Sequence, residues 1–192
     1  MADGLPRLVR NDYARSTLRV ARRLLGCTIC HRVGGEVLRG RIVEVEVYTD
    51  DAASHSANGK RTPRNRLMFG PAGFAYVYFT YGMHHCFNVV TETVDRPGAV
   101  LVRGLDGIAH AAGPALACNA LHFTLRDNGR DLVTDPDLWI EPGCRKREEH
   151  VVRTTRVGIR HAAELPLRLY LLGSPGVSKR DRQAEHALDE EA

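Results

Sequence analysis

No apolar run in the sequence approaches the length needed to cross a bilayer, so no membrane partner is expected. The chain carries no internal repeat, low-complexity tract or obvious linker, and nothing divides it into an array or two joined domains. No G-x-S-x-G, P-loop or G-x-G-x-x-G pattern occurs, which argues against the common hydrolase and nucleotide-binding classes. Nor is there an H-E-x-x-H arrangement, and His55, His84 and His85 supply no convergent third or fourth ligand. The five cysteines are odd in number and scattered. Cys27 and Cys30 have the spacing of a zinc pair, but they fall in an apolar, β-branched stretch that reads as a strand. Residues three apart on a strand point to opposite faces, so one ion could not easily take both. Cys86, Cys118 and Cys144 provide no second pair, so buried, reduced thiols are expected, and no metal or cofactor is called for. The first six residues lack the basic-then-apolar pattern of a secretory signal, which makes a cytoplasmic location the expectation, at the nucleoid if the cell is prokaryotic.

The 192 residues suffice for one domain with a proper core. A net charge of +4 permits a polyanionic partner without demanding one. Its distribution says more. Lys60, Arg61, Arg64 and Arg66 crowd one short stretch with no acid among them and read as a phosphate contact. Arg145, Lys146 and Arg147 are followed at once by Glu148 and Glu149, so that cluster reads as an exposed loop.

The pattern predicts a helix over 16–25, capped by Ser16 or Thr17 and ended by Gly26. Strands are expected at 27–33 and 36–48 about a Gly34-Gly35 turn, at 74–80 and 83–91 about Tyr81-Gly82, and at 99–105. Pro114 suits the first turn of a helix reaching about His122, and later strands are expected near 138–140, 151–159 and 167–172. The polar segment 49–72 is a long loop of the kind that carries function. An N-terminal segment 1–15, a catalytic domain 16–178 and a charged, fraying tail 179–192 complete the division. Short strands outnumber helices and are joined by hairpins. The expected fold class is therefore α+β, a single compact domain with a curved, mostly antiparallel sheet and flanking helices.

Along residues 41–48 the strand alternates cleanly. Arg41, Val43, Val45 and Val47 share one face; Ile42, Glu44, Glu46 and Tyr48 share the other. Two carboxylates and an aromatic on one face fit a solvated polar surface as well as a cleft wall. In a cleft, Tyr48 would be a platform for a base that has left its duplex. Tyr76 and Tyr78 share a face of the next strand, His84 and Asn88 of the one after, and Tyr81 stands at the intervening tip, where minor-groove proteins insert side chains.

Taken together, Arg41–Tyr48, Ser54–Ser56, Thr62–Arg66, Tyr76–Tyr78, Tyr81–Asn88, Val100–Arg103, Gly113-Pro114, Arg156–Ile159 and Ser174-Pro175 resemble the alkyladenine (3-methyladenine) DNA glycosylase family, in consistent order over most of the chain. The resemblance implies an enzyme acting on double-stranded DNA with damaged purines, working as a monomer. Glu46 matches the general base, and Arg103 and the Val157 carbonyl match groups that hold the attacking water. Tyr48, His55 and Tyr78 match the pocket around the flipped base, and Asn88 the residue that disfavours guanine. Tyr81 matches the wedge, with Met83 beside it, His84 facing DNA, and Lys60 and Arg64 near the backbone. Where relatives often continue Gly113-Pro114 with Gly-Lys, this chain has Ala115-Leu116, which removes a basic backbone contact. The chain has only three lysines, Lys60, Lys146 and Lys179, and none matches a Schiff-base amine, so a monofunctional enzyme is expected. The rival readings are a catalytically silent binder of distorted duplex, against which Glu46 and Arg103 speak, and a metal hydrolase, against which the ligand spacing speaks.

Overall fold

A computed structural model describes residues 6–80, 82–143, 145 and 149–191. Tyr81, assigned above to the hairpin tip, and Cys144, Lys146, Arg147 and Glu148 lie outside the described residues. The described residues form one α+β domain about a curled antiparallel sheet of eight strands. In chain order they are β1 (Thr28–Val33), β2 (Glu36–Tyr48), β3 (Ala75–Thr80), β4 (His84–Val90), β5 (Ala99–Asp106), β6 (Leu138–Glu141), β7 (Val151–Thr154) and β8 (Arg168–Leu171). Helices α1 (Arg10–Tyr13), α2 (Thr17–Leu24), α3 (Pro114–Ala120) and α4 (Arg182–Glu191) flank it. No described helix is long and apolar enough to cross a membrane.

The thirteen-residue β2 is the spine. Its first half pairs with β1 through the Gly34-Gly35 turn, where both glycines adopt positive φ. Its second half pairs with β5 along one edge, while β8 takes the edge that β1 leaves, with Glu44 opposite Tyr170 and Glu46 opposite Arg168. The β2–β5 register breaks on either side of Glu44. This bulge corrects the simple alternation expected for 41–48. Ile42 packs in the same core as Val43, Val45 and Val47, while Glu44 stays on the opposite face.

The main core lies between the apolar face of the sheet and α2, whose Val20, Ala21 and Leu24 are buried. Ser16 makes no side-chain cap to this helix. Glu92 reaches across from 75 residues away to accept from the Thr17 amide and hydroxyl, so the cap is tertiary rather than local. Cys27, Cys30, Cys86 and Cys118 are all buried, and the described residues contain no cluster of three or more groups that could hold a metal.

Two further expectations are overturned. The strand beginning at Val151 ends at Thr154 rather than Ile159, because Arg156 turns in to meet Asp51 and Gly158 takes φ +74°. The tail, expected to fray, is helical over Arg182–Glu191. It forms α4, held by Glu185 accepting from the Tyr170 hydroxyl at 2.8 Å, and Thr154 bonds to Asp181.

Candidate active site

Glu46 sits on β2 where β5 and β8 flank it, and its side chain is completely buried. A carboxylate so placed must have its oxygens satisfied. Oε1 accepts from the Val157 amide at 2.7 Å and lies 3.3 Å from Nη1 of Arg103. Oε2 accepts from the Tyr48 hydroxyl at 2.8 Å. The amide and the hydroxyl donate hydrogen bonds and the guanidinium forms an ion pair, so both oxygens are engaged. Burial and the neighbouring Glu46 push the Tyr48 phenol well above its ordinary range, so it remains a neutral donor. The Val157 N–H thus meets the carboxylate, while the resemblance gives the water to its carbonyl.

Tyr48, Arg103 and Val157 also line a cavity of about 310 Å³, so Glu46 stands directly behind its wall. That volume lies at the small end for ligand sites and suits one heterocycle. His55, Tyr76, Tyr78 and Asn88 form much of the remainder. The His55 and Tyr78 rings meet edge to face at 4.6 Å, and Tyr76 and Tyr78 lie 5.4 Å apart. His55 Nδ1 is 2.8 Å from the Tyr76 hydroxyl, which fixes the ring. Burial, and then the Arg64 charge, lower the His55 pKa, so its imidazole is neutral at neutral pH. Asn88 is buried and commits its amide nitrogen to the Tyr76 and Cys86 carbonyls, which leaves its oxygen as the end not used there.

The platform under Tyr48 is rigid. The Arg156 guanidinium lies 4.8 Å from its ring centroid, and itself donates to both Asp51 oxygens, at 2.6 and 3.0 Å, and to the Val47 carbonyl. One face of Tyr48 is thereby covered by a cation and held in place.

The structure thus brings together Glu46, Tyr48, His55, Tyr78, Asn88, Arg103 and Val157 around one cavity. Arg64 joins its rim, with its guanidinium over the Tyr78 ring at 5.1 Å and a bond to the Phe79 carbonyl. Met83, His84 and Lys60 do not line it. Met83 is 68% exposed at the end of the β3–β4 hairpin, an unusual position for so apolar a side chain unless something covers it; His84 is half-buried beside it, and Lys60 is exposed on the 49–72 loop. Leu116, at one of the positions where a basic residue was missing, is exposed on α3.

Sequence reasoning gave no role to Tyr76, which lines the cavity, to Arg156 against Tyr48, or to Glu44 and Arg168, whose ion pair adjoins Arg103 behind it. Arg168 left a signal, since an arginine in the apolar run Leu167–Leu172 had to be buried with a partner. Arg156 lay within a quoted motif, but its partner Asp51 is 105 residues away.

Comparison with known proteins agrees with this geometry. A family model described as methylpurine-DNA glycosylase matches residues 11–175. A protein of Carboxydothermus hydrogenoformans is 43% identical over 90% of this chain and 99% of its own length. One from Methanoculleus marisnigri is 47% identical over 88% of this chain and 96% of its own, and one from Myxococcus xanthus is 46% identical over 90% and 93%. All three carry the name "Putative 3-methyladenine DNA glycosylase". With its cavity, its buried carboxylate and a match spanning most of its length, the chain belongs to the methylpurine-DNA glycosylase family.

Proposed function

We propose that this DNA glycosylase of base-excision repair flips alkylated or deaminated purines out of duplex DNA and hydrolyses their bond to deoxyribose, leaving an abasic site. The substrates are 3-methyladenine, 7-methylguanine, hypoxanthine and ethenoadenine. The observation that carries the reading is a fully buried carboxylate, held by two hydrogen-bond donors and an ion pair to Arg103, directly behind a small aromatic cavity. The flipped base stacks on Tyr48 and His55, and Tyr78 closes the pocket. Such stacking contributes roughly 1–3 kcal/mol per base, comparable with the few kcal/mol that flipping costs. A neutral His55 accepts a cationic alkylated purine without charge repulsion.

In the reaction the C1′–N bond breaks and its electron pair leaves with the base, which is already cationic where a ring nitrogen is alkylated; the neutral bases hypoxanthine and ethenoadenine take a proton from solvent onto a ring nitrogen as they leave. Water oxygen bonds to the oxocarbenium-like C1′, and its proton passes to Glu46. Arg103 and Val157 orient the carboxylate and the water. The Asn88 side chain stands in the pocket where an exocyclic guanine amino group would crowd it, which disfavours unmodified guanine. The enzyme acts as a monomer on duplex DNA. Tyr81 and Met83 fill the vacated stack, His84 faces the groove, and Lys60 and Arg64 contact phosphates. Lys60 and Lys179 are exposed and do not line the cavity, which supports hydrolysis without strand cleavage.

The test is single-turnover excision from a hypoxanthine-containing duplex. Glu46→Gln is expected to lower the rate by roughly 10²–10⁴ while binding of the same duplex persists. Excision at the parent rate would overturn the assignment.

A further inference from the structure

Glu44 is as completely buried as Glu46, yet it has no contact with Tyr48 or Val157 of the cavity wall and no part in the reaction above. Its Oε1 accepts from Nε of Arg103 at 3.3 Å and from Nη1 of Arg168 at 2.8 Å, and its Oε2 accepts from the Ser178 amide at 2.7 Å. Arg103 is therefore divided between two carboxylates. Its Nε faces Glu44 and its Nη1 faces Glu46, each at 3.3 Å, longer than the roughly 2.7–2.9 Å of a tight ionic hydrogen bond. Arg168 holds the shorter contact to Glu44. It also donates to the Thr155 carbonyl at 2.7 Å and to the Lys179 carbonyl at 2.6 Å, fixing the turn that presents Val157 to Glu46.

The arrangement has a chemical consequence. An arginine fork prefers to meet one carboxylate on two nitrogens. Facing Glu46 alone, Arg103 would turn that fork fully onto it, occupying its lone pairs and neutralising its charge. A carboxylate so held takes a proton from water poorly. We propose that Glu44 and Arg168 are positioning residues that keep Arg103 shared, so that Arg103 orients Glu46 without disarming it. Glu44 draws Arg103 away from Glu46, and Arg168 limits that pull by satisfying Glu44. The inference rests on the reading of Glu46 as the base. Other groups near Glu46 are Tyr48 on its own strand, Tyr78 on β3, Cys86 on β4, and Arg156 from the 155–159 turn. Burial raises the Cys86 and Tyr78 pKa values, so both are neutral, and Arg156 is committed to Asp51.

The test is the pH profile of single-turnover excision. Glu44→Gln removes the competing carboxylate, and the acidic limb is expected to move to lower pH by about one unit, with the plateau rate down roughly tenfold. Arg168→Met leaves Glu44 unsatisfied and moves the limb to higher pH, and Arg168→Lys restores it toward the parent position. Each single change strands a buried charge, so the double variant Glu44→Gln/Arg168→Met, which removes the pair together, guards against simple loss of fold. In it the limb also moves to lower pH. Limbs that stay in place, or that move the same way in the two single variants, overturn the proposal. If Glu46→Gln is inactive while these limbs stay in place, the base reading stands and only this inference falls. If Glu46→Gln still excises at the parent rate, the base reading falls first.

Discussion

Replacing Asp51 by Ala removes the carboxylate that meets the Arg156 guanidinium on two nitrogens, at 2.6 and 3.0 Å. The Arg156 side chain has no exposed surface, and its Nε already lacks a hydrogen-bond partner. In the variant its charge would be left with the Val47 carbonyl at 3.0 Å and the Ala162 carbonyl at 3.3 Å. Stranding one member of a buried ion pair costs about 3–5 kcal/mol. The Asp51 side chain is 13% exposed, so water can reach the vacated position, and the lower figure, about 3 kcal/mol, applies. For a chain of this length that corresponds to a fall in Tm of about 6–12 °C. Calorimetry on Asp51→Ala, Arg156→Met and the double variant provides the cycle, and the double variant is expected to be more stable than Asp51→Ala because no charge is stranded. Burial raises the Asp51 pKa, but the Arg156 hydrogen bonds outweigh it and the net shift is downward. A depressed carboxyl contributes its stability above its unfolded value, near 3.8, and loses it as pH falls through the folded value. The gap in Tm between parent and Asp51→Ala should therefore close in acid. Excision should slow as well, because Arg156 carries both the Tyr48 platform and the turn that holds Val157. A Tm within 2 °C of the parent's, or a double variant no more stable than the single one, would refute the reasoning.

Two further outcomes are expected. A Cβ added at Gly104, on β5 beside Arg103, would clash with the Gly176 carbonyl oxygen, so Gly104→Ala should cost about 3 kcal/mol or more; an unchanged urea midpoint would contradict that packing. His31 on β1 and Asp127 form a buried pair, with Nε2 3.4 Å from Oδ1. Burial raises the Asp127 pKa, but its bonds to His31, Thr124 and Arg130 bring it down to about 2. Burial lowers the His31 pKa, but Asp127 and the Leu121 carbonyl bring it above 6.5. The Asp127 contribution is present above its unfolded value and lost toward pH 2, and that of His31 is present below 6.5 and lost as pH rises through its raised value. Asp127→Asn should thus lower stability most between about pH 4 and 6.5, by on the order of 2 kcal/mol, and a pH-independent difference in melting would count against the pair.

Much of the frame was legible in the chain itself. The turn glycines, the amphipathic helix and the alternating strands are local features, and α2, β1 to β5 and the start of α3 fall close to their expected positions. Alternation also placed Glu44 and Glu46 on one face. What local pattern misjudged was set by distant partners. Residues 155–159 are β-branched enough to continue a strand, but capture of Arg156 by Asp51 bends them into the cavity wall. The tail reads as polar and unattached, yet Tyr170 and Thr154 bind its first turn. Ser16 looks like a cap, but Glu92 serves.

By itself the sequence determined which residues could share a face, because strand periodicity is a property of neighbours along the chain. It determined the family as well, through motifs at fixed separations. Periodicity does not say whether a polar face meets water or protein, and Glu46 fitted either. Only the tertiary structure decided that, by bringing Arg103, Val157 and Arg168, each more than fifty residues away, onto the two carboxylates. The reason is energetic. A carboxylate can be buried only where donors gather to replace its water, and such donors come from wherever the fold delivers them.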